Sequence, residues 1–228
     1  MVETPVIVIS SPQVNTGKTT LALNLSSALW NENYEVKIFS HNDELCEQFI
    51  EKRKLLKQNE HHLYMPKFVS VDDMVNDTDR QNEVIVADVP SVMNEKYREI
   101  FEKAHTLITV INDINDLVSG KNNEYLELIW EAKKVIAQKG IKNLNWIVVL
   151  NNLMHYSETD VQKMLYQHSK RYGYRMFLSL KNREAFKHIY GGLCIGDMIK
   201  TEKKSMTMND LYAYREILKL TDFLWNYK

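Results

Sequence analysis

The feature that constrains this chain most is a strand, a loop and a helix in immediate succession near its N-terminus. The stretch begins at Val6 and reads VIVISSPQVNTGKTTLALNLSSAL. Its β-branched apolar run predicts a buried strand over residues 6–10, and the apolar spacing after the loop predicts a helix over residues 18–30. A glycine-containing loop that opens a helix offers backbone N–H groups to phosphate oxygens. The sequence therefore predicts a phosphate-binding loop, or P-loop, between the two elements.

Four consecutive residues carry the chemistry expected of this loop. Gly17 allows the backbone to turn so that successive amides point at phosphate groups. Lys18 is expected to reach the β- and γ-phosphates, and the Thr19 hydroxyl is expected to bind Mg²⁺. Thr20 adds a hydroxyl suited to the α-phosphate. These residues predict ATP with Mg²⁺ as the ligand.

The loop departs from the general pattern GxxxxGK[ST] at its first position, where Pro12 replaces glycine. Proline holds φ at about −65° and has no N–H to donate, so the loop must begin differently. The alternative interpretation is that GKTT merely begins a capped helix. The preceding strand, with the loop at its carboxyl end, favours the phosphate-binding interpretation.

Two polar residues at the ends of later apolar runs support the same site. Asp88 ends the run VIVAD, and Asn151 follows the run WIVVL. A carboxylate at the end of a strand beside the P-loop strand commonly holds the magnesium, often through water. Asn151 is placed to read the adenine edge with its side-chain amide. The alternatives are that Asp88 caps a strand end and that Asn151 occupies a turn.

Short apolar runs alternate with amphipathic stretches through the rest of the chain. Further strands are expected at residues 36–40, 84–88, 107–111, 146–150 and 176–180. Further helices are expected at residues 43–58, 123–138 and 208–227. Apolar strands separated by helices indicate an α/β fold, a largely parallel sheet with helices on both faces. The length fits one domain over residues 1–228.

Composition and charge exclude several classes of protein. The net charge is −1, so nucleic-acid binding would need a local basic patch. The N-terminal segment carries an acidic residue where a signal peptide is positive, and apolar runs fall short of the about 20 residues that span a bilayer. We expect a cytoplasmic protein without a membrane span, in which Cys46 and Cys194 are reduced.

The segment 162–204 departs from the overall charge balance. It carries ten basic residues against three acidic ones, which favours a surface for phosphate backbones. The alternative is a set of solvated faces that point in different directions. The basic residues are Lys163, Lys170, Arg171, Arg175, Lys181, Arg183, Lys187, Lys200, Lys203 and Lys204.

The C-terminal segment has apolar residues at helical spacing. The predicted stripe comprises Leu211, Tyr214, Leu218, Thr221 and Trp225, widened by Ile217 and Leu224. It favours packing of the helix against the domain. A helix that lies on a membrane surface is the alternative, but such helices usually carry more positive charge.

Together these features resemble the ParA/MinD superfamily of P-loop ATPases, and the later half resembles its MipZ-type branch of division-plane-positioning ATPases. The resemblance covers most of residues 4–200. It is carried by ENYEVKIF with EKRKLL, VIVADVPS, HTLITVINDINDL, NWIVVLNNL and RYGYRMFLSLKNREAFKHIYGGLCIGDMI. It implies an ATP-bound homodimer that binds DNA non-specifically and hydrolyses ATP slowly. It also implies as partners a chromosome-partitioning protein and the tubulin-like division protein.

The P-loop departs from that family at three positions. The family's loop reads KGGxGKT, with a signature lysine that contacts the nucleotide across the dimer interface. Gln13 stands at the lysine position, and Val14 and Asn15 replace the two glycines. Asn tolerates a left-handed backbone, whereas a β-branched Val does so poorly.

The loop after the second strand departs as well. The family has D-x-D there, but this chain reads Ser40-His41-Asn42, with Asp43 one residue late. Loss of one preorganised charge in such a site typically costs about 3 kcal/mol of transition-state stabilisation, or about a hundredfold in rate. The neutral Gln13 and Asn42 therefore put hydrolysis in doubt.

The resemblance completes the set of candidate site residues. Lys18 and Asp88 are the candidate catalytic residues, and Thr19 and Asp88 the candidate metal ligands. The candidate nucleotide-binding residues are Gln13, Asn15, Thr16, Gly17, Lys18, Thr19, Thr20 and Asn151.

Three functions remain open at this point. The leading one is an ATPase or ATP-dependent dimerisation switch in chromosome partitioning or division-site placement. The second is a hydrolysis-deficient, nucleotide-bound scaffold. The third is a metabolic enzyme of the dethiobiotin-synthetase type. Such enzymes carry a lysine-rich motif after the second strand, whereas here Lys37 falls inside the strand.

Overall fold

A computed structural model describes residues 4–57, 63–76, 82–91, 95–119, 123–140, 144–151, 157–177, 180–181, 183–201 and 206–226. Within these residues seven strands form one sheet, in which every paired strand is parallel. The strands are β1 Val6–Ser10, β2 Glu35–Ser40, β3 Lys67–Phe68, β4 Glu83–Asp88, β5 Thr106–Ile111, β6 Asn145–Leu150 and β7 Arg175–Phe177. The predicted α/β class with a parallel sheet is confirmed.

Helices cover both faces of this sheet. They are α1 Lys18–Asn31, α2 Asp43–Lys57, α3 Val71–Asn76, α4 Glu95–Glu102, α5 Asn115–Val118, α6 Asn123–Gln138, α7 Glu158–Tyr172, α8 Ile195–Thr201 and α9 Met208–Trp225, with a 3₁₀ helix at Glu184–Gly191. One core cluster joins the sheet to α1, α2, α8, α9 and the 3₁₀ helix. The other joins it to α3, α4, α5, α6 and α7.

β1 shows why its sequence is a continuous apolar run. Ile7 and Ile9 belong to the core cluster on one face, whereas Val6 and Val8 belong to the cluster on the other. All five residues of the strand are buried. A strand covered on both faces has no solvent side and therefore no polar alternation.

The order of the strands places a crevice at the end of β1. The sheet runs β3-β2-β4-β1-β5-β6-β7, so the chain fills one side of β1 before it crosses to the other. In open α/β sheets, ligands bind outside the carboxyl ends of the strands where the strand order reverses. Ser10, Asp88, Ile111 and Leu150 are the last residues of β1, β4, β5 and β6, and they lie at that edge.

The predicted elements agree with the structure in most of the sheet. The first five predicted strands lie within one residue of β1, β2, β4, β5 and β6. The sixth was placed too late, because β7 ends at Phe177 and Leu180 lies outside the sheet. The short β3 and helices α3, α4, α5, α7 and α8 were not predicted. Gly140 follows α6 with a φ of +71°, as expected of a residue after a helix end.

The C-terminal helix packs against the domain, as predicted, and its core face includes part of the predicted stripe. α9 begins at a capping box between Thr207 and Asp210. Of the predicted stripe, Ile217, Thr221 and Leu224 are buried, whereas Leu211, Tyr214 and Leu218 are only half-buried and Trp225 is exposed. The predicted stripe therefore overlaps the core face, which also includes Leu220, and extends beyond it. In the described part of the chain, no helix is long and apolar enough to cross a membrane.

Candidate functional site

The loop between β1 and α1 depends on two residues with left-handed backbones. Gly17 has a φ of +88° and Asn15 a φ of +58°. A Cβ on Gly17 would also lie 2.8 Å from Nδ2 of Asn151, so glycine is required there for two reasons. Gly17 is the N-cap of α1, and no side chain caps the helix. The first amides of α1 are thus left for an anion.

Two serine hydroxyls bind the backbone of the residue that follows Pro12. The backbone N–H of Gln13 donates to the Ser11 hydroxyl at 3.0 Å. The carbonyl oxygen of Gln13 accepts a hydrogen bond from the Ser91 hydroxyl. These contacts fix the loop without an N–H at position 12, which explains how the loop tolerates proline.

Lys18 lies in the phosphate loop with its side chain largely buried. Its Nζ donates to the Ser91 hydroxyl at 3.0 Å. Burial lowers the pKa of the Lys18 ammonium, and the nearby Asp88 carboxylate opposes that shift. A cation that has lost much of its hydration attracts an anionic ligand strongly.

Asp88 is fully buried behind the loop. One carboxylate oxygen, Oδ2, accepts hydrogen bonds from Thr19 at 2.6 Å and from Ser40 at 2.8 Å. Among the described residues, the other oxygen, Oδ1, has no hydrogen-bond partner. Burial raises the pKa of the Asp88 carboxyl, and the hydrogen bond from Thr19 is the largest effect that opposes the rise. A buried carboxylate oxygen without a donor is suited to a cation.

The loop after β2 also contacts Asp88. The backbone N–H of His41 donates to the Asp88 carbonyl at 3.1 Å, and its Nδ1 lies 3.7 Å from Oδ2 of the same residue. His41 and Asn42 both line the cavity beside Lys18. The side chain of Asp43 lies outside the described part of the chain. The two positions of the family's switch carboxylates are thus occupied by the hydroxyl of Ser40 and the neutral amide of Asn42.

Two adjoining cavities open onto the loop. One of about 440 Å³ is lined by Thr16, Gly17, Lys18 and Thr19 together with the loop after β2. The other, of about 250 Å³, lies beyond Gly17 and has an apolar floor that includes Val110. Among the described residues, those that line both cavities are Asn15, Gly17, Thr20 and Tyr190. The first is suited to phosphates, and the second to a base.

Asn151 joins the second cavity to the loop. Its Nδ2 donates to the carbonyl oxygen of Thr16 at 2.8 Å, and its side chain lines the cavity. The amide predicted to face adenine therefore also holds the phosphate loop. Arg183, Phe186 and Lys187 line the other side of this cavity.

Most of the predicted site residues come together at this edge. Asn15, Thr16, Gly17, Lys18, Thr19, Thr20 and Asn151 line the cavities, and Asp88 lies directly behind Thr19. Gln13 lines neither cavity and is exposed. Ser40, Ser91 and Tyr190 were not among the predicted site residues. Ser40 is the last residue of β2, and Ser91 follows the end of β4, so both lie at the carboxyl edge of the sheet, as Asp88 does.

The parallel sheet, the loop at its switch point and the Lys18–Thr19–Asp88 cluster define a P-loop nucleotide-binding protein. The family model for the ATPase MipZ matches residues 5–225, so the chain belongs to that family. No curated protein matches the sequence of the chain.

Several solved structures have a similar fold. An ATP complex of a McdA variant from Cyanothece matches with a TM-score of 0.61 and 12% identity, over 100% of this chain and 99% of that one. MinD in the MinC:MinD cell division complex of Aquifex aeolicus matches with a TM-score of 0.53 and 13% identity, over 96% of both chains. A plasmid partition protein of Borrelia burgdorferi B31 bound to AMPPNP matches with a TM-score of 0.51 and 13% identity, over 97% of this chain and 99% of that one. At such identities the likeness is one of fold.

Proposed function

We propose that this protein binds ATP with Mg²⁺ in the adjoining cavities and acts as an ATP-dependent switch in chromosome partitioning or division-site placement. One observation supports the ligand most directly: Asp88 lies behind Thr19 and next to the desolvated Lys18, and its buried Oδ1 has no hydrogen-bond partner among the described residues. The role in positioning rests on membership of the MipZ family. The similar structures include complexes with ATP and AMPPNP, which supports the same ligand.

Each candidate residue takes a role from its position. Gly17 and the first amides of α1 would bind the phosphates, and Lys18 would neutralise the β- and γ-phosphates. Thr16 and Thr20 face the phosphate cavity, and Asn15 and Asn151 flank the base cavity. Gln13, exposed at the outer side of the loop, would contact nucleotide only in a dimer.

The residues present fit a magnesium ion. Mg²⁺ in nucleotide sites is usually held by one or two carboxylates, the phosphates and water. Thr19 and Asp88 supply a hydroxyl and a carboxylate, and no cluster of three His, Cys, Asp or Glu side chains competes among the described residues. When bound, the ion would neutralise charge on the terminal phosphates. The chain's own part is to hold the Thr19 and Asp88 oxygens in place.

The proposed activity is slow hydrolysis at most, with Lys18 and Asp88 as the catalytic residues. Ser40 and Asn42 stand where the family has carboxylates, and Gln13 replaces its cross-dimer lysine. A nucleotide-bound scaffold without hydrolysis is the second candidate, favoured by these neutral residues. The metabolic alternative is disfavoured because Lys37 is buried in β2 and pairs with Glu83 at 2.7 Å.

The partners proposed are a second copy of the chain, DNA, a partitioning protein and the tubulin-like division protein. Two of the described basic residues of segment 162–204 are engaged in contacts within the fold. Arg175 bonds to Asn145, and Arg183 pairs with Glu216 at 2.6 Å. Lys163, Lys170 and Arg171 are exposed on α7, which is where we propose the DNA contact. Lys203 and Lys204 lie outside the described residues, as does the side chain of Lys200.

Calorimetric titration with ATP and Mg²⁺ tests the proposal. The wild-type protein should bind, and Lys18→Ala should lose at least about tenfold in affinity, because a charged hydrogen bond contributes about 1.5–3 kcal/mol. Lys170→Ala, an exposed lysine remote from the cavities, is the matched control and should bind like the wild type. Equal affinity of Lys18→Ala and the wild type would refute the proposed site.

A further inference from the structure

We propose that the Tyr190 ring packs against the nucleoside of the bound nucleotide, and that α2 holds this ring in position. The inference rests on the proposed function, because it names a further binding residue of the same site. Tyr190 belongs to the 3₁₀ helix Glu184–Gly191, far in sequence from the P-loop.

The position of Tyr190 sets it apart from the other residues of the site. Four described residues line both cavities, and three of them, Asn15, Gly17 and Thr20, belong to the P-loop and the first turn of α1. Tyr190 is the fourth and comes from a different element. It therefore stands where the phosphate cavity meets the base cavity, which is the place of the ribose and of the nearer part of the base.

The Tyr190 side chain is available for such a contact. It is 55% exposed, although it is a large aromatic residue at the mouth of a cavity. An aromatic ring offers a flat apolar face to a sugar or a base, and such stacking commonly changes affinity by about tenfold or more. The neighbouring Phe186 is partly buried against the core, so it forms the wall of the base cavity and Tyr190 its rim.

The backbone at Tyr190 is anchored to α2. Lys52 Nζ donates to the carbonyl oxygen of Tyr190 at 2.5 Å. Two residues later, Gly192 has a φ of +85°, and a Cβ there would lie 2.9 Å from the backbone nitrogen of Arg53. Arg53 is fully buried and donates to the Gly192 carbonyl at 2.9 Å. Its guanidinium also forms a two-point pair with Asp197 at 2.7 and 2.8 Å.

These anchors connect the two ends of the site. α2 begins at Asp43, directly after the loop in which His41 and Asn42 line the phosphate cavity, and Leu45 in its first turn lines the same cavity. Its later turns hold the end of the 3₁₀ helix. α2 thus contacts both the phosphate cavity, through its first turn, and the backbone of Tyr190, through Lys52.

Titration with two ligands isolates the contact of the ring. The dissociation constants of ATP with Mg²⁺ and of inorganic tripolyphosphate with Mg²⁺ are measured by calorimetry for the wild type, Tyr190→Ala and Tyr190→Phe. We expect Tyr190→Ala to bind ATP about tenfold more weakly and tripolyphosphate as well as the wild type does. Tyr190→Phe, which keeps the ring, should match the wild type with both ligands. The control is Tyr166→Ala, which removes an exposed tyrosine that lies on α7 and lines neither cavity.

The outcomes separate this inference from the proposed function. A wild type that binds neither ligand refutes the nucleotide site itself. If the wild type binds ATP and Tyr190→Ala binds it equally well, or loses both ligands in parallel, the nucleoside contact is refuted. A Tyr190→Phe variant as weak as Tyr190→Ala would refute the role of the ring.

A second variant tests the anchor. Lys52→Met removes the hydrogen bond to the Tyr190 carbonyl at an exposed site and should leave the fold intact, which thermal unfolding checks. We expect its affinity for ATP to fall by about threefold, with tripolyphosphate unaffected, because the lost bond is exposed to solvent and acts on the ring only through the Tyr190 backbone. Unchanged ATP affinity in Lys52→Met would refute the role of α2.

Discussion

Thr19 donates a hydrogen bond of 2.6 Å to Asp88, and this bond joins the first turn of α1 to the last residue of β4. The two residues are 69 positions apart in the chain, and the parallel pairing of β1 with β4 brings them together. Because the bond uses only one carboxylate oxygen, the other keeps its capacity to accept. The protein itself therefore fixes the relative position of the two proposed metal ligands.

Replacement of Asp88 by asparagine should stabilise the protein and weaken its ligand binding. Burial raises the pKa of this carboxyl, so the folded state disfavours its ionised form. The stability that the group contributes is present below the unfolded pKa of about 3.9 and is lost as the pH rises through the folded value. Asp88→Asn should therefore unfold at a higher temperature than the wild type at pH 7, and the difference should shrink towards pH 4.

The same variant should bind ATP with Mg²⁺ about ten- to hundredfold more weakly, as for other losses around a metal site. Asp222→Asn, an exposed position on α9, should change neither quantity. Thermal scans at several pH values and calorimetry measure both effects. An Asp88→Asn variant that is less stable at pH 7 and binds normally would contradict both assignments.

Asn151→Ala should loosen the phosphate loop. The substitution removes the 2.8 Å hydrogen bond to the Thr16 carbonyl, which is worth about 1 kcal/mol, or about fivefold in affinity for ATP. Amide hydrogen exchange of residues 15–17 should become faster in the same variant. Gln167→Ala on the exposed face of α7 is the control. Wild-type exchange and affinity in Asn151→Ala would show that the loop does not need this contact.

Restoring the missing charges should raise turnover. We expect the double variant Gln13→Lys/Asn42→Asp to hydrolyse ATP at least about tenfold faster than the wild type, since each such charge is worth up to about a hundredfold. Steady-state phosphate release measures the rates. Lys18→Ala in the same background should abolish the gain, which excludes a contaminating ATPase. If the double variant gains nothing, then Gln13 and Asn42 do not limit hydrolysis.

Charge reversal on α7 should weaken DNA binding. With Lys170→Glu/Arg171→Glu, the slope of log affinity against log salt for duplex DNA in the presence of ATP should fall by about two, because each phosphate contact contributes about one. The control is Lys219→Glu, at an exposed lysine of α9 outside segment 162–204. Fluorescence anisotropy at several salt concentrations gives the slopes. An equal effect of the α7 and α9 variants would point to overall charge instead of a defined surface.

The central strands were predictable because both of their faces are buried. β1, β4, β5 and β6 are buried at every residue, so each appears in the sequence as a largely continuous apolar run. β3 has two residues and β7 three, too few to form a pattern. The core face of α9 was predicted only in part, because aromatic residues such as Tyr214 and Trp225 look apolar in sequence but lie at its edge. The single-domain organisation stays a prediction.

The sequence by itself determined the α/β class, the phosphate loop and the candidates Lys18, Thr19 and Asp88, because strand, loop and helix are adjacent in the chain. Only the tertiary structure decided which distant residues meet them. Ser91 reaches Lys18 across 73 positions, and Lys52 holds Tyr190 across 138. Such contacts depend on how the crossovers order the strands and on where a short 3₁₀ helix packs. Local propensity and residue spacing do not predict the strand order or the position of the 3₁₀ helix. Both depend on apolar side chains from remote parts of the chain that are buried together.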